Sequence, residues 1–173
     1  MTPEFHRPLA ISRIGPPGRR ERLFATAAEC AALAARFAIP AIERLEAELC
    51  LAPAKGGAVA AEGWLRAEVT QSCVVTLDQV AERVEVALRL RFIPEGDAPS
   101  DDPDTPDEIE IEAGMIDLGE AVAEQLSLAL DPYPRAPGAS LPAHLVPVPA
   151  PEPEPEPAKV HPFAALKRPR EAG

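Results

Sequence analysis

The side chains in this sequence that are best suited to chemistry are three histidines and three cysteines. They are His6, His144, His161, Cys30, Cys50 and Cys73. A structural zinc site needs four closely spaced Cys or His ligands, and a catalytic thiol needs a neighbouring base. The histidines lie in the terminal parts of the chain and the cysteines lie far apart, so neither pattern is present. We therefore predict no catalytic residue, no metal site and no cofactor, and free buried thiols.

The known motifs that carry phosphate or metal chemistry are also missing. The sequence contains no glycine-rich phosphate loop, no C-x-x-C pair and no H-E-x-x-H motif. Carboxylates cluster in a proline-containing loop over residues 95–108, which holds Asp97, Asp101, Asp102, Asp104, Asp107 and Glu108. This loop lacks the glycine and the spaced glutamate of an EF-hand. It is a solvated loop, a mimic of nucleic-acid charge that docks a basic protein, or a calcium site.

Charge is distributed unevenly along the chain. The formal net charge is −11, but residues 1–24 contain five arginines against two glutamates, and residues 159–173 are also net positive. An acidic body repels phosphate backbones, so RNA contact would need a basic segment. Arg13, Arg19, Arg20 and Arg22 predict such a segment in an N-terminal arm. A basic protein would suit the acidic body better as a partner.

Hydrophobic patterning gives no indication of a membrane protein. No stretch approaches the roughly 20 apolar residues of a spanning helix, and the N-terminus lacks the apolar run of a signal peptide. We expect a cytoplasmic protein that binds neither membrane nor DNA.

Two helices and several strands are needed to position the candidate residues. Thr26 and Glu29 have the spacing of a capping box, which predicts a helix that Pro40 ends. Asp117, with Glu120 three residues later, predicts a second helix that Pro132 and Pro134 end. Alternating apolar residues predict strands. These strands cover residues 5–14, 42–51, 59–69, 73–77 and 83–92, with a short one around Ile109 and Ile111. Residues 42–51 are also good helix formers, so a helix is the alternative there, and the alternation favours the strand.

Short turns between these strands favour antiparallel pairing. The predicted class is α+β, with a curved or barrel-like, mainly antiparallel sheet covered by two helices. Residues 1–134 would form a single domain. Of 22 prolines, 11 lie between Pro132 and Pro162, which predicts a disordered linker over residues 135–158 and a short basic tail motif over 159–173.

Several strand residues are candidates for binding. Gly63 within a strand indicates a bulge or a close backbone approach. Trp64 is either a core residue or an exposed stacking platform. Gln71 and Thr76 flank Cys73 and make either cross-strand hydrogen bonds or a binding surface. Further along, Arg83, Arg89 and Arg91 line one polar strand face, as a salt-bridged surface or as a contact for RNA or an acidic partner.

Three segments, in this order, resemble the YceD family of bacterial proteins, especially its alphaproteobacterial branch. They are Gly63–Leu77, which reads GWLRAEVTQSCVVTL, then residues 116–134 with Asp117 and Gly119, and the terminal HPFAALK of residues 161–167. His161 stands where the family commonly has Asn. Cys73 stands alone where many relatives carry a C-x-x-C-like pair, so a metal role in those relatives does not transfer.

The resemblance implies a role in the synthesis, processing or stability of large-subunit ribosomal RNA. We expect a non-enzymatic assembly factor that binds a pre-ribosomal particle, through its RNA or through a basic ribosomal protein. The alternatives are a metal-dependent RNA-processing enzyme and a dedicated chaperone for one basic ribosomal protein. Phe163 and Leu166, an apolar pair beyond the predicted linker, would dock on the domain or on a partner.

Overall fold

The alternating strands form the centre of the molecule. A computed structural model describes residues 3–100, 102 and 105–140. Its strands are β1 (Pro8–Ala10), β2 (Arg19–Phe24), β3 (Ala41–Pro53), β4 (Val59–Ser72), β5 (Gln79–Ile93), β6 (Asp107–Glu110) and β7 (Met115–Asp117), and its helices are α1 (Ala27–Arg36) and α2 (Leu118–Ala129). The predicted α+β class is confirmed.

Five strands make one sheet in the order β2-β3-β4-β5-β6, and β1 pairs with β7 in a small second sheet. All neighbours in the large sheet are antiparallel except β5 and β6, which are parallel. In the described part of the chain β2 and β6 lie at opposite edges and do not pair. Barrel-like closure is therefore not confirmed.

The inner face of the large sheet forms the core. Along β3 the side chains of Leu45, Ala47, Leu49 and Leu51 are all at most 2% exposed, while the intervening residues are more accessible. α1 packs against β3, and α2 packs against β1, β4 and β5. Both helices therefore cover the same inner face and leave the opposite face of β2–β5 to solvent.

Both helix starts follow the sequence prediction. At α1 the Thr26 hydroxyl accepts from the Glu29 N–H, and the Glu29 carboxylate accepts from the Thr26 N–H, which is a capping box. At α2 the Asp117 carboxylate accepts from the N–H groups of Gly119 and Glu120. In a complete capping box the Glu120 carboxylate would accept the N–H of Asp117. This bond is absent among the described residues, because the Glu120 carboxylate pairs with Arg36 at 2.6 Å.

Four secondary-structure predictions are wrong. Of residues 5–14, predicted as a strand, only Pro8–Ala10 form β1, and Ile11–Arg13 form a short 3-10 helix. α1 ends at Arg36 rather than at Pro40, because Ala38 adopts a left-handed conformation and its neighbour Ile39 bonds back to Ala34. Residues 19–24, assigned to a basic arm, form edge strand β2. Residues 73–77, predicted as a strand, form a hydrogen-bonded turn in which Leu77 has φ 65°.

The thiols are free, as predicted, but not all are buried. Cys30 and Cys73 are buried, whereas Cys50 is exposed. Cys50 lies on β3 between the buried residues Leu49 and Leu51, so the strand period directs it to the solvent side. The predicted linker and tail fall largely on residues 141–173, outside the described residues, and stay predictions.

Gly63 permits β3 and β4 to pair closely. A Cβ atom at this position would lie 1.8 Å from the carbonyl oxygen of Glu48 on β3. This contact is with backbone, so it cannot be relieved by moving a side chain. Of the two alternatives for Gly63, the close backbone approach is confirmed.

We predict that Gly63→Ala lowers the free energy of unfolding by roughly 2 to 3 kcal/mol, because the strands must separate to admit the methyl group. Denaturant unfolding followed by circular dichroism measures the change. Gly15→Ala is the matched control, since its new Cβ would meet no atom closer than 3.6 Å. Equal stability of Gly63→Ala and wild type would contradict the close approach.

A second prediction concerns acid sensitivity. The hydrogen bonds from Arg7, followed by those from Thr26, lower the pKa of Glu29 from 4.5 to about 2. Because the folded pKa lies below the unfolded one, this stabilisation is complete above about pH 4.5 and is lost as the pH falls toward about 2. Glu29→Gln should lower stability by about 1 kcal/mol at neutral pH and flatten the decline on acidification.

The measurement is the unfolding midpoint across this pH range. Glu85→Gln, which changes a carboxylate on the opposite face of the sheet, serves as control and should keep the wild-type decline. A Glu29→Gln protein as acid-sensitive as wild type would show that this carboxylate is not responsible.

Candidate functional site

The solvent side of strands β2 to β5 is rich in arginine. We call its outward-pointing side chains the outer face; the strand register and the burial of alternate residues define them. Seven of these side chains are arginines and six are glutamates. They are Arg20, Arg22, Arg44, Arg66, Arg83, Arg89 and Arg91, and Glu43, Glu46, Glu48, Glu62, Glu68 and Glu85. The outer face is thus net positive on a chain whose formal charge is −11.

Cross-strand register orders these side chains into rows. One row contains Arg22, Glu48, Trp64 and Ala87, and the next contains Arg20, Cys50, Glu62 and Arg89. Paired strands are about 4.8 Å apart. The structure therefore brings five predicted site residues onto one surface, namely Arg20, Arg22, Trp64, Arg89 and Arg91.

Arg19 does not share this surface. It lies opposite Leu51, on the other phase of edge strand β2, and its guanidinium pairs with Glu21. The predicted arm is therefore divided by the strand period, because neighbouring residues of a strand point to opposite sides.

Most outer-face arginines have a carboxylate partner. Arg22 lies 2.6 Å and Arg20 3.6 Å from the same Glu48 carboxylate, while Arg66 pairs with Glu85 at 2.8 Å and Arg91 with Glu108 at 2.8 Å. Across the described part of the chain, Arg89 has no ion pair. Exposed pairs of this kind contribute only about 0 to 1 kcal/mol each, so the guanidinium groups can exchange partners at small cost.

Trp64 lies near the middle of the outer face and is half-buried. The guanidinium carbon of Arg66 lies 4.5 Å from the centroid of its ring, a cation–π arrangement. The sequence analysis did not select Arg66. The signal was available, because residues 64 and 66 share a strand face in an alternating pattern.

Gln71 and Cys73, two further predicted residues, connect separate segments of the chain. Gln71 lies at the end of β4, and its side-chain amide donates to the backbone oxygen of Asp131 at 2.9 Å. In the following turn the Val74 N–H donates to the oxygen of Pro134 at 2.9 Å. We call the contacts between residues 71–76 and residues 131–136 the clasp. The clasp ties the segment after α2 to the end of β4.

Cys73 is a buried member of the clasp. Its Sγ accepts the N–H groups of Val75 and Thr76, each at 3.4 Å. The backbone of Ala136 makes the largest contribution, followed by the Thr76 hydroxyl, and together these hydrogen bonds lower the Cys73 pKa to about 7. Donors from two parts of the chain thus converge on one sulfur atom.

Within the part of the chain that the structure describes, the clasp leaves one polar atom unpaired. Gln71 is 6% exposed, and among these residues its Oε1 has no hydrogen-bond partner while its Nε2 is used. An unpaired buried carbonyl carries a desolvation cost. Among the described residues, Gln71 is the one polar side chain that is buried in the core.

The loop after β5 is held by its own acidic residues. The Glu108 carboxylate accepts from the Ser100 N–H, and that of Glu110 accepts from the Gly96 N–H, each at 2.6 Å. Among residues 3–100, 102 and 105–140, no three His, Cys, Asp or Glu side chains group as metal ligands would. Part of the loop lies outside the described residues.

Comparison with known protein families shows which family the chain is similar to. The family model described as "Large ribosomal RNA subunit accumulation protein YceD" matches residues 61–168, more than half of the chain.

The chain belongs to the YceD family.

No curated protein and no solved structure matches it. The matched range contains both halves of the clasp, most of β4 and all of β5. In this YceD chain Gln71 and Val74 of the first resembling segment therefore contact Asp131 and Pro134 at the end of the second, while Thr76 bonds within its own turn. The alphaproteobacterial branch stays an expectation.

Phe163 and Leu166 lie outside the described residues, so their docking stays a prediction, as does the binding role of every other candidate. Within the described part of this YceD protein, no helix has the length and apolar character needed to cross a membrane.

We predict that a disulfide reagent modifies one thiol of the native protein rapidly, and that this thiol is Cys50. Thiol exchange needs access as well as thiolate, and Cys73 is 0% exposed despite its lowered pKa. Cys50→Ser should remove the fast phase, while the control Cys73→Ser should keep it. A fast phase that persists in Cys50→Ser would contradict the assignment. Denaturant should make all three thiols react.

Proposed function

We propose that this YceD protein is a non-enzymatic factor in biogenesis of the large ribosomal subunit. It supports accumulation, processing or stability of the large-subunit RNA by binding a pre-ribosomal particle in the cytoplasm. The observation that carries the proposal is the family match over residues 61–168. The family description itself concerns accumulation of this RNA.

A binding role, rather than a catalytic one, is supported by how the candidate side chains are used. The sulfur of Cys73 accepts hydrogen bonds from its own turn and from Ala136, and Gln71 holds the Asp131 carbonyl. These groups connect parts of the chain instead of facing an open cleft. The outer face, in contrast, presents its polar groups to solvent on a broad surface, which suits association with a large partner.

Two kinds of partner fit different parts of the molecule. The formal charge of −11 and the carboxylates along β6 favour a basic ribosomal protein, for which the chain would act as a chaperone. The arginines and Trp64 of the outer face favour RNA. Both contacts could occur in one particle, since the two surfaces are formed by different residues.

We predict that depleting this protein in its own bacterium lowers the ratio of large-subunit to small-subunit ribosomal RNA. Pulse labelling followed by separation of the RNAs measures both synthesis and decay. Re-expression of the wild-type chain from a plasmid is the control and should restore the ratio. An unchanged ratio after depletion would show that the protein has no such role.

A further inference from the structure

We propose that the outer face of the sheet binds single-stranded RNA, with bases stacking at Trp64 and Arg66 and phosphates at Arg20, Arg22 and Arg89. This inference rests on the proposed function and names the partner class and the surface. A stacked aromatic ring and seven guanidinium groups lie together on one face of an acidic protein.

The Trp64 ring and the Arg66 guanidinium already form a stacked pair on the outer face. Arg66 lies over the ring of Trp64 at 4.5 Å, so one flat group covers another near the centre of the face. Bases stack on aromatic rings and on guanidinium planes alike. The Arg66 side chain is 49% exposed, which leaves its own outward plane open to a base.

The phosphate contacts follow from the arrangement of charges. Arg89 has no ion pair among the described residues, and Arg20 and Arg22 share the single carboxylate of Glu48. The side chains of Arg20 and Arg22 are 63% and 66% exposed. Positive charge therefore exceeds its local compensation at β2, while at β5 Arg89 lies opposite Glu62 without an ion pair among the described residues.

The surface between these arginines has room for a strand. Next to Arg20 and Glu62, the small side chains of Cys50, Ala52 and Ala60 line a shallow depression. It lies between the β2 arginines and Arg89, on the row adjacent to Trp64. A polynucleotide crossing the strands from Arg20 would thus pass over small residues as far as Glu62, the carboxylate that lies between Cys50 and Arg89 in the same row.

Single-stranded RNA fits this surface better than a duplex or an acidic protein. Stacking on a protein ring requires an unpaired, accessible base, which a helix does not provide. An acidic peptide could replace Glu48 as a partner of the arginines, but it would make no use of the Trp64–Arg66 stack. The family match to ribosomal RNA accumulation supports the same choice.

The test measures binding of a short fluorescein-labelled single-stranded RNA to the full-length protein by anisotropy, at several salt concentrations. We expect Arg20→Ala/Arg89→Ala to weaken binding about tenfold or more and to reduce the salt slope by roughly 1.4, because each lost phosphate contact removes about 0.7. Arg66→Ala should weaken binding at all salt concentrations, because it removes a stacking partner. Circular dichroism is the check that these exposed substitutions leave the fold intact, and we expect unchanged spectra.

Arg135→Ala is the matched control. Arg135 is also exposed and positively charged, but it lies outside strands β2–β5, next to Pro134, which is held by Val74 beyond the end of β4. Its removal should change affinity less than about twofold, since it makes no contact in the proposed site. Equal losses in Arg135→Ala and in the outer-face variant would overturn the proposal. So would stronger binding to the duplex form of the same sequence, equal competition by polyglutamate, or no saturable RNA binding.

A parallel measurement separates this inference from the proposed function. The same variants are expressed in the depleted bacterium, and the ratio of the two ribosomal RNAs is measured. We expect wild type and Arg135→Ala to restore the ratio and the outer-face variants to fail. If an outer-face variant loses RNA binding but restores the ratio, the binding surface is wrong while the function stands. If wild type and variants alike leave the ratio unaffected, the proposed function fails.

Discussion

The structure depends on the register of three long antiparallel strands, β3, β4 and β5. Their side-chain period of two places an apolar residue on the inner face at nearly every second position, and a slip by one residue would move the whole apolar set to solvent. Gly63 allows the central pair to close against Glu48 without obstruction. The same register that builds the core therefore also orders the arginines and Trp64 outside it. Core and outer face are two results of one constraint.

The long strands and both helix starts could be predicted because their signals are local. β5 alternates clearly, and the Thr26 and Asp117 caps need only three or four consecutive residues. Edge strand β2 was missed because Leu23 is its one buried residue, which leaves a charged segment without a periodic apolar pattern. The β-branched residues after Cys73 favoured a strand, but long-range bonds to the segment after α2 hold them in a turn.

The candidate site was predictable in its residue types but not in its arrangement. Arg20, Arg22 and Arg89 were selected from local charge, yet only strand pairing shows that they flank one tryptophan. The clasp joins Gln71 to Asp131 across 60 positions of sequence, a distance at which residue patterns give no information about contact. Arg66 was within reach of prediction, since alternation alone places it beside Trp64.

The cap of α2 also affects the order in which parts of the domain can fold. Asp117 accepts the N–H of Arg7 as well as those of its own helix, and Gly119 brings the helix against the carbonyl of Phe5. These partners are separated by more than 100 residues. During synthesis the segment around Phe5 and Arg7 is made before α2, so it must wait for nearly the whole domain before it gains its partners. A segment that is made early is therefore among the last parts of the domain to be fixed in place.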